Sequence, residues 1–189
     1  FLASCCPPRF HTDRNASEAT GAGSETGIYW LDIFANQIHR ANPDGTNPHV
    51  VVSKTDRAPD GLAIDADRGW IYWTNMGSVF GIGTGTLQRA RLDGSGVETI
   101  VPKGITNTPK QIQLDAAGQK LYWSDREGAK IWWANTDGSQ AEPLLSHSLE
   151  EAVGIVLDPI GKHIYFTDRS AGIIYRVGLT MPEGQTHEN

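Results

Sequence analysis

Carboxylates recur at two fixed places in this chain. Asp32, Asn75, Asp125 and Asp168 each close a five-residue phrase: "IYWLD", "IYWTN", "LYWSD" and "IYFTD". A second row, Asp65, Asp115 and Asp158, ends the apolar stretches "GLAID", "KQIQLD" and "VGIVLD". Rows of acids can move protons or hold a hard cation. Here each acid stands in register with a repeat, and the same group at the same point of every copy reads as a brace. The closing residue of each phrase is expected to bind backbone amides where a strand ends. Other chemistry is weakly signalled. The six histidines, His11, His39, His49, His147, His163 and His187, lack ligand spacing. A solvated turn accounts for "HSLEE" at His147, and no metal site is assigned. No Gly-x-Ser-x-Gly elbow occurs. "GIGTGT" at Gly81 to Thr86 has phosphate-loop glycines but no following lysine and no helix to offer amides. No catalytic residue and no cofactor is assigned.

The elements that must position these residues repeat as well. From Tyr29 to Tyr72 is 43 residues, from Tyr72 to Tyr122 is 50, and from Tyr122 to Tyr165 is 43. "IHRANPDGT", "LQRARLDGS" and "IWWANTDGS" follow the phrase, and Asp44, Asp93 and Asp137 sit in their Asp-Gly turns. Asp-Gly supplies the positive φ of a tight hairpin. Each unit reads as four short antiparallel strands, and no segment has a convincing helical period. The expected fold is all-β, a propeller of four-stranded blades. In a strand, Tyr72 and Thr74 face one way, Trp73 and Asn75 the other. A blade covered on both faces can bury both rings, at roughly 150–250 Å² each. Trp133 is read as packed between blades and Trp132 as a candidate exposed contact.

These phrases resemble the YWTD repeat, the class B repeat of the low-density lipoprotein receptor family. The likeness runs from about Gly27 to Val177 and rests on Tyr29, Trp30, Asp32, Tyr72, Trp73, Asn75, Tyr122, Trp123, Asp125, Tyr165, Phe166 and Asp168. Leu31 stands where the phrase has Thr, Asn75 where it has Asp, and Phe166 where it has Trp. The resemblance implies a six-bladed ring. Because flanking cysteine-rich modules are missing, it implies the stand-alone microbial and fungal kind. It also implies an extracellular site, with the cytoplasm as the alternative, since Cys5 and Cys6 are the only cysteines and form no disulfide framework.

Six blades of this length need about 260 residues, and the chain has 189. The reading is therefore an incomplete ring or a fragment. Residues 1–26 are expected to be a disordered or incomplete leader, 27–178 the blades and 179–189 a truncated tail. "FLASCCPPRF" is not a convincing signal peptide, and Asn15-Ala16-Ser17 is a glycosylation sequon whose use is open. Bare outer faces near Tyr29, Trp30, Tyr165 and Phe166 imply self-association. The net charge of −6 without a basic stretch argues against nucleic acid, and no apolar run approaches a membrane span. Function is expected on the face where strand four leads to the next strand one and strand two to strand three. The candidates there are Arg57, Asp60, Asn107, Lys110, Met76, Val79, Phe80, Arg126, Glu127 and Arg169. The step from Asn75 to Leu87 is twice that from Asp125 to Ile131, so "MGSVFGIGTGT" carries an insertion. Two functions are weighed: a non-enzymatic scaffold for a protein or peptide, and an enzyme of the lactonase or strictosidine-synthase kind. The inner strands offer no matched trio of acids, which favours the scaffold.

Overall fold

The computed structural model describes residues 27–78, 83–145 and 149–179. Fourteen strands and no helix occur among them. The first sheet holds β1 (Ile28–Asp32), β2 (Gln37–Ala41) and β3 (His49–Val52). The second holds β4 (Pro59–Asp65), β5 (Trp70–Asn75), β6 (Thr86–Arg91) and β7 (Glu98–Val101). The third holds β8 (Pro109–Asp115), β9 (Lys120–Asp125), β10 (Lys130–Asn135) and β11 (Glu142–Leu145), and the fourth β12 (Ala152–Asp158), β13 (His163–Asp168) and β14 (Ile173–Gly178). Every pairing joins sequence neighbours in antiparallel register, and the inner strands β4, β8 and β12 adjoin one another. These are four consecutive blades of a β-propeller.

The repeated phrase explains how blades stack. Tyr29 packs with Trp73 and Ile71, Tyr72 with Trp123 and Leu121, and Tyr122 with Phe166 and Ile164. Each tyrosine thus faces the following blade and each tryptophan or phenylalanine the preceding one. The middle blades bury both rings, since Tyr72, Trp73, Tyr122 and Trp123 are all buried. At the outer faces the expectation of four bare aromatics needs correction. Trp30 and Tyr165 are each 38% exposed, whereas Phe166 is buried and Tyr29 half-buried. Alternation is the reason: only one ring of each phrase points outward, the Trp side in the first blade and the Tyr side in the fourth.

The fourth residue of the phrase links blades. β4–β5 and β12–β13 shift register between Pro59 and Leu62 and between Ala152 and Ile155, which frees inner-strand backbone groups. Thr74 Oγ1 accepts from Gly61 N at 2.8 Å and donates to Lys110 O of the next blade at 2.5 Å. Ser124 Oγ donates to Val153 O of the next blade at 2.5 Å. Leu31 has no hydroxyl for this, and the first junction instead uses Asn36 Oδ1, which accepts from Ala58 N at 2.7 Å. The Asp-Gly turns lean on the preceding blade too. Gly94 and Gly138 have positive φ, and a Cβ on either would collide with the carbonyls of Val51 and Ile100. Gly45, in the first blade, has open space around it.

Candidate functional site

The closing acids position one face of the molecule. Asp125 Oδ2 accepts from Thr106 Oγ1 at 2.7 Å and Asn107 N at 2.8 Å. Its Oδ1 accepts from Thr108 N at 2.7 Å and Gly128 N at 3.2 Å. One buried carboxylate therefore ties the loop before β8 to the loop after β9. Asp168 does the same in the fourth blade, accepting from Glu150 N at 2.7 Å, Glu151 N at 3.2 Å and Ala171 N at 3.1 Å. Burial alone would raise its carboxyl; the amides of Glu150, Ala171, Glu151 and Ser170 outweigh that and hold it below the ordinary aspartate value. Asp32 binds the amides of Phe34 and Ala35. The inner row is also bracing: Asp65 accepts from Arg68 N, Asp115 from Gly118 N and Asp158 from Gly161 N.

Asn75 departs from the expected brace. Its Nδ2 donates to Thr86 Oγ1 at 3.1 Å and Gln88 Oε1 at 3.0 Å, while its own buried oxygen has no partner among the described residues. Gln88 Oε1 also accepts from Trp73 Nε1 at 3.2 Å and Asp56 N at 3.1 Å. An amide can donate where a carboxylate cannot, so the hub moves to strand three. In the other blades that position carries a ring stacked on the phrase: His39 on Trp30 at 5.3 Å, Trp132 on Trp123 at 5.9 Å and Tyr175 on Phe166 at 5.3 Å. Trp132 is therefore buried, not an exposed contact, because its register partner is Trp123. Trp133 packs against the core between the third and fourth blades, and Lys120 Nζ lies 3.8 Å from its ring centre.

Above these braces, charged side chains bridge three blades. Lys110 Nζ lies 2.6 Å from Asp60 Oδ2 and 3.0 Å from Met76 Sδ. Gln111 Nε2 donates to Asp60 Oδ1 at 2.9 Å. Arg126 pairs with Glu127 and lies 3.8 Å from Glu151, which pairs with Arg169 at 2.7 Å and accepts from Ser170 Oγ at 2.9 Å. The hydrogen bond to Glu127 holds the Arg126 guanidinium above its ordinary value. Burial would raise the Glu127 carboxyl, but its hydrogen bonds to Arg126 and Thr108, with the charge of Arg126, together outweigh this and lower it. Both members of the Asp60–Lys110 pair are largely shielded, at 15% and 14% side-chain exposure, so this pair is the fixed part of the rim.

Of the sequence candidates, Asp60, Met76 and Lys110 meet at one point and Arg126, Glu127 and Arg169 at another. Arg57 is exposed, and its carbonyl accepts from Gly77 N. Asn107 is built into the scaffold, giving its amide to Asp125 and its carbonyl to Gly85 N. Val79 and Phe80 lie outside the described residues, as do the leader 1–26 with Asn15, His147, and residues 180–189 of the tail. The base of the long loop is fixed to the connection between β7 and β8 through Gly104 N to Gly83 O at 2.8 Å, and Ser78 N donates to Thr84 Oγ1 at 2.8 Å. Sequence reasoning missed Gln111, Glu151 and Ser170. Glu151 and Ser170 stand beside the brace Asp168 and its partner loop, a signal that was available. It also missed Phe34, 95% exposed in the loop after β1. Among the described residues no three His, Cys, Asp or Glu side chains are grouped to hold a metal, and no helix is long and apolar enough to cross a membrane.

Comparison with known proteins agrees with this architecture. No family model matches the chain. Low-density lipoprotein receptor-related protein 1 of Pyricularia oryzae is 40% identical over 146 residues, covering 70% of this chain and 47% of that protein. The 3-hydroxyacyl-CoA dehydrogenase-like protein LAM1 of Cochliobolus heterostrophus is 33% identical over 71% of this chain and 32% of its own length. Low-density lipoprotein receptor-related protein 5 of Mus musculus is 33% identical over 84% of this chain and 9% of that protein. The chain thus spans half or less of the curated relatives it matches. Among solved structures, a chain of a nidogen/laminin complex superposes with a TM-score of 0.64 at 25% identity, over 75% of this chain and 52% of that one. A streptogramin B lyase superposes with a TM-score of 0.60 at 18% identity, over 85% of this chain and 53% of that one, a likeness of fold alone.

Proposed function

Because the chain belongs to the YWTD-repeat, low-density lipoprotein receptor class B, β-propellers, we propose that it is a non-enzymatic recognition scaffold that binds a protein or peptide on the rim formed by Asp60, Lys110, Arg126 and Glu151. One observation carries this: charges of alternating sign from three successive blades are held on a buried hydrogen-bonded frame. A rim of both signs suits a polypeptide, whose amides and side chains offer donors and acceptors together. It does not suit a polyanion, which needs one sign. Phe34 adds an exposed apolar anchor of the kind that dominates interface energetics. Relatives named as receptor-related proteins support the reading, as does likeness to a chain solved in a complex with another protein.

An enzymatic reading has a relative's dehydrogenase-like name and a lyase of shared fold behind it. Among the described residues the acids it would use are engaged: Asp60, on inner strand β4, is neutralised by Lys110, and Asp125 and Asp168 are spent on backbone amides.

The test is panning of the purified chain against a displayed random-peptide library. Wild-type protein is expected to enrich a peptide family, and Lys110→Glu to lose it with an unchanged circular-dichroism spectrum. No enrichment above a control propeller, or equal enrichment by the variant, overturns the proposal.

A further inference from the structure

One position differs in kind among the inner strands. β4, β8 and β12 each shift register near their start, between Pro59 and Leu62, Pro109 and Ile112, and Ala152 and Ile155. The third residue of these strands is Gly61, Gln111 and Gly154 respectively. Packing dictates the first glycine: a Cβ on Gly61 would collide with Lys110 O and lie 2.9 Å from Gln111 Cα. A Cβ on Gly154 would come within 3.1 Å of Thr167 Oγ1. Of the three blades, only the third therefore places a side chain at this point of the rim. That blade has a described neighbour on either side, and Gln111 is exposed between them.

The Gln111 carboxamide is aimed. Its Nε2 donates to Asp60 Oδ1 at 2.9 Å, and the other oxygen of Asp60 is held by Lys110 Nζ at 2.6 Å. A carboxylate only accepts. The amide nitrogen must therefore face Asp60, and Oε1 must face away from it. Among the described residues, Oε1 and the second hydrogen on Nε2 have no protein partner. What the rim presents here is one acceptor and one donor on a planar amide, with its orientation set by an acid that is itself fixed. Lys110 neutralises that acid, so a ligand group arriving at Gln111 meets no uncompensated charge.

Resting on the recognition reading above, we propose that Gln111 reads the main chain of the bound peptide. In an extended segment the N–H and C=O of one residue point to the same side, as they do in a hydrogen-bonded pair of an antiparallel ladder. Gln111 matches that pair: Oε1 accepts from the N–H, and the free Nε2 hydrogen donates to the C=O. This contact is blind to the peptide's side chains. It fixes the depth and register of the segment, and the charges of Arg126 and Glu151 then select among sequences.

The experiment takes one synthetic peptide from the family enriched by the wild-type chain, together with a series N-methylated at each residue in turn. Fluorescence anisotropy gives Kd for wild type and for Gln111→Met, which keeps the length of the side chain and removes its hydrogen bonds. The variant is expected to bind the parent peptide about tenfold more weakly. One N-methyl position is expected to weaken wild type by a similar factor and to add nothing to the loss in Gln111→Met. Circular dichroism checks the fold, and Gln111→Gly, the residue type of the neighbouring blades, replaces Gln111→Met if that variant fails to fold. Equal binding by wild type and variant overturns this inference, as does a series in which every N-methyl effect adds to that of the variant. In either case Lys110→Glu still loses the peptide if the recognition reading holds. A wild type that enriches no peptide overturns both.

Discussion

The second and third blades face the same problem and solve it with different atoms. Each must satisfy the amides that precede its inner strand and anchor the indole of its phrase. In the third blade a carboxylate, Asp125, accepts from four donors, and Trp123 lies on Trp132 while its Nε1 donates to Thr106 Oγ1 at 3.3 Å. In the second blade Gln88 Oε1 accepts from Trp73, Asn75 and Asp56, and among the described residues no ring stacks on Trp73. Acid with aromatic and amide with amide are thus two self-consistent sets. The position is a hub whose chemistry must match its cross-strand neighbour.

The largest test of this contrast removes the neighbour. Trp132→Ala deletes a buried ring and should cost about 4 kcal/mol. Gln88→Ala strands three donors and should cost about 2 kcal/mol. Urea unfolding measures both, and a Gln88 cost equal to that of Trp132 would show that hydrogen bonding carries the second blade as much as ring stacking carries the third. Next come the hubs themselves. Asp125→Ala leaves a hydroxyl and three amides unpaired, for about 3 kcal/mol; Asn75→Ala loses two donations, for about half as much. The reverse order of midpoints would break the comparison.

A smaller effect sharpens it. Asn75→Asp turns a donor into an acceptor facing Gln88 Oε1 and should destabilise by about 1 kcal/mol at neutral pH. Combining it with Gln88→Trp should recover part of the loss, and a strictly additive double mutant would deny the coupling. Acid separates the hubs further. The Asp168 carboxyl sits below its unfolded value of about 3.9, so its contribution is full above that pH and is lost as pH falls through the folded value. The amide hub does not titrate. Hydrogen exchange at falling pH, corrected for intrinsic rates, should show Glu150 and Glu151 losing protection before Asp56. The smallest expected effect on stability concerns the loop at 76–85. Trimming it to the length of the loop at 126–129 should change stability by under about 0.5 kcal/mol while weakening capture of library peptides. Unchanged capture would remove that segment from the rim.

Much of this was readable in the residues because the physics is periodic. A phrase with rings on both sides of a strand has no home in a sheet that wets one face, so stacked blades followed from Tyr72 and Trp73. Asp-Gly turns located the hairpins, and recurrence marked Asp125 and Asp168 as braces. The site was partly legible: loops on one face were nameable, and Asp60, Lys110 and Arg126 fall among its ion pairs. What escaped were partners. Glu151 joins Arg126 to Arg169 only because two blades meet at that angle, and Trp132 looked like a surface ring until its cross-strand partner was known. Asn107 looked like a ligand group because its backbone bonds to Asp125 leave no mark in its side-chain type.

The sequence by itself determined the strand pattern, the blade repeat and the acid braces Asp32, Asp125 and Asp168, since these depend on side-chain alternation and turn chemistry within about 40 residues. Tertiary structure alone decided which neighbouring blade each ring of the phrase faces, where the junction hydroxyls of Thr74 and Ser124 find their carbonyls, and which opposite charges share the rim. Those outcomes depend on contacts between blades, where residues far apart in the chain are set side by side by packing that no local pattern encodes.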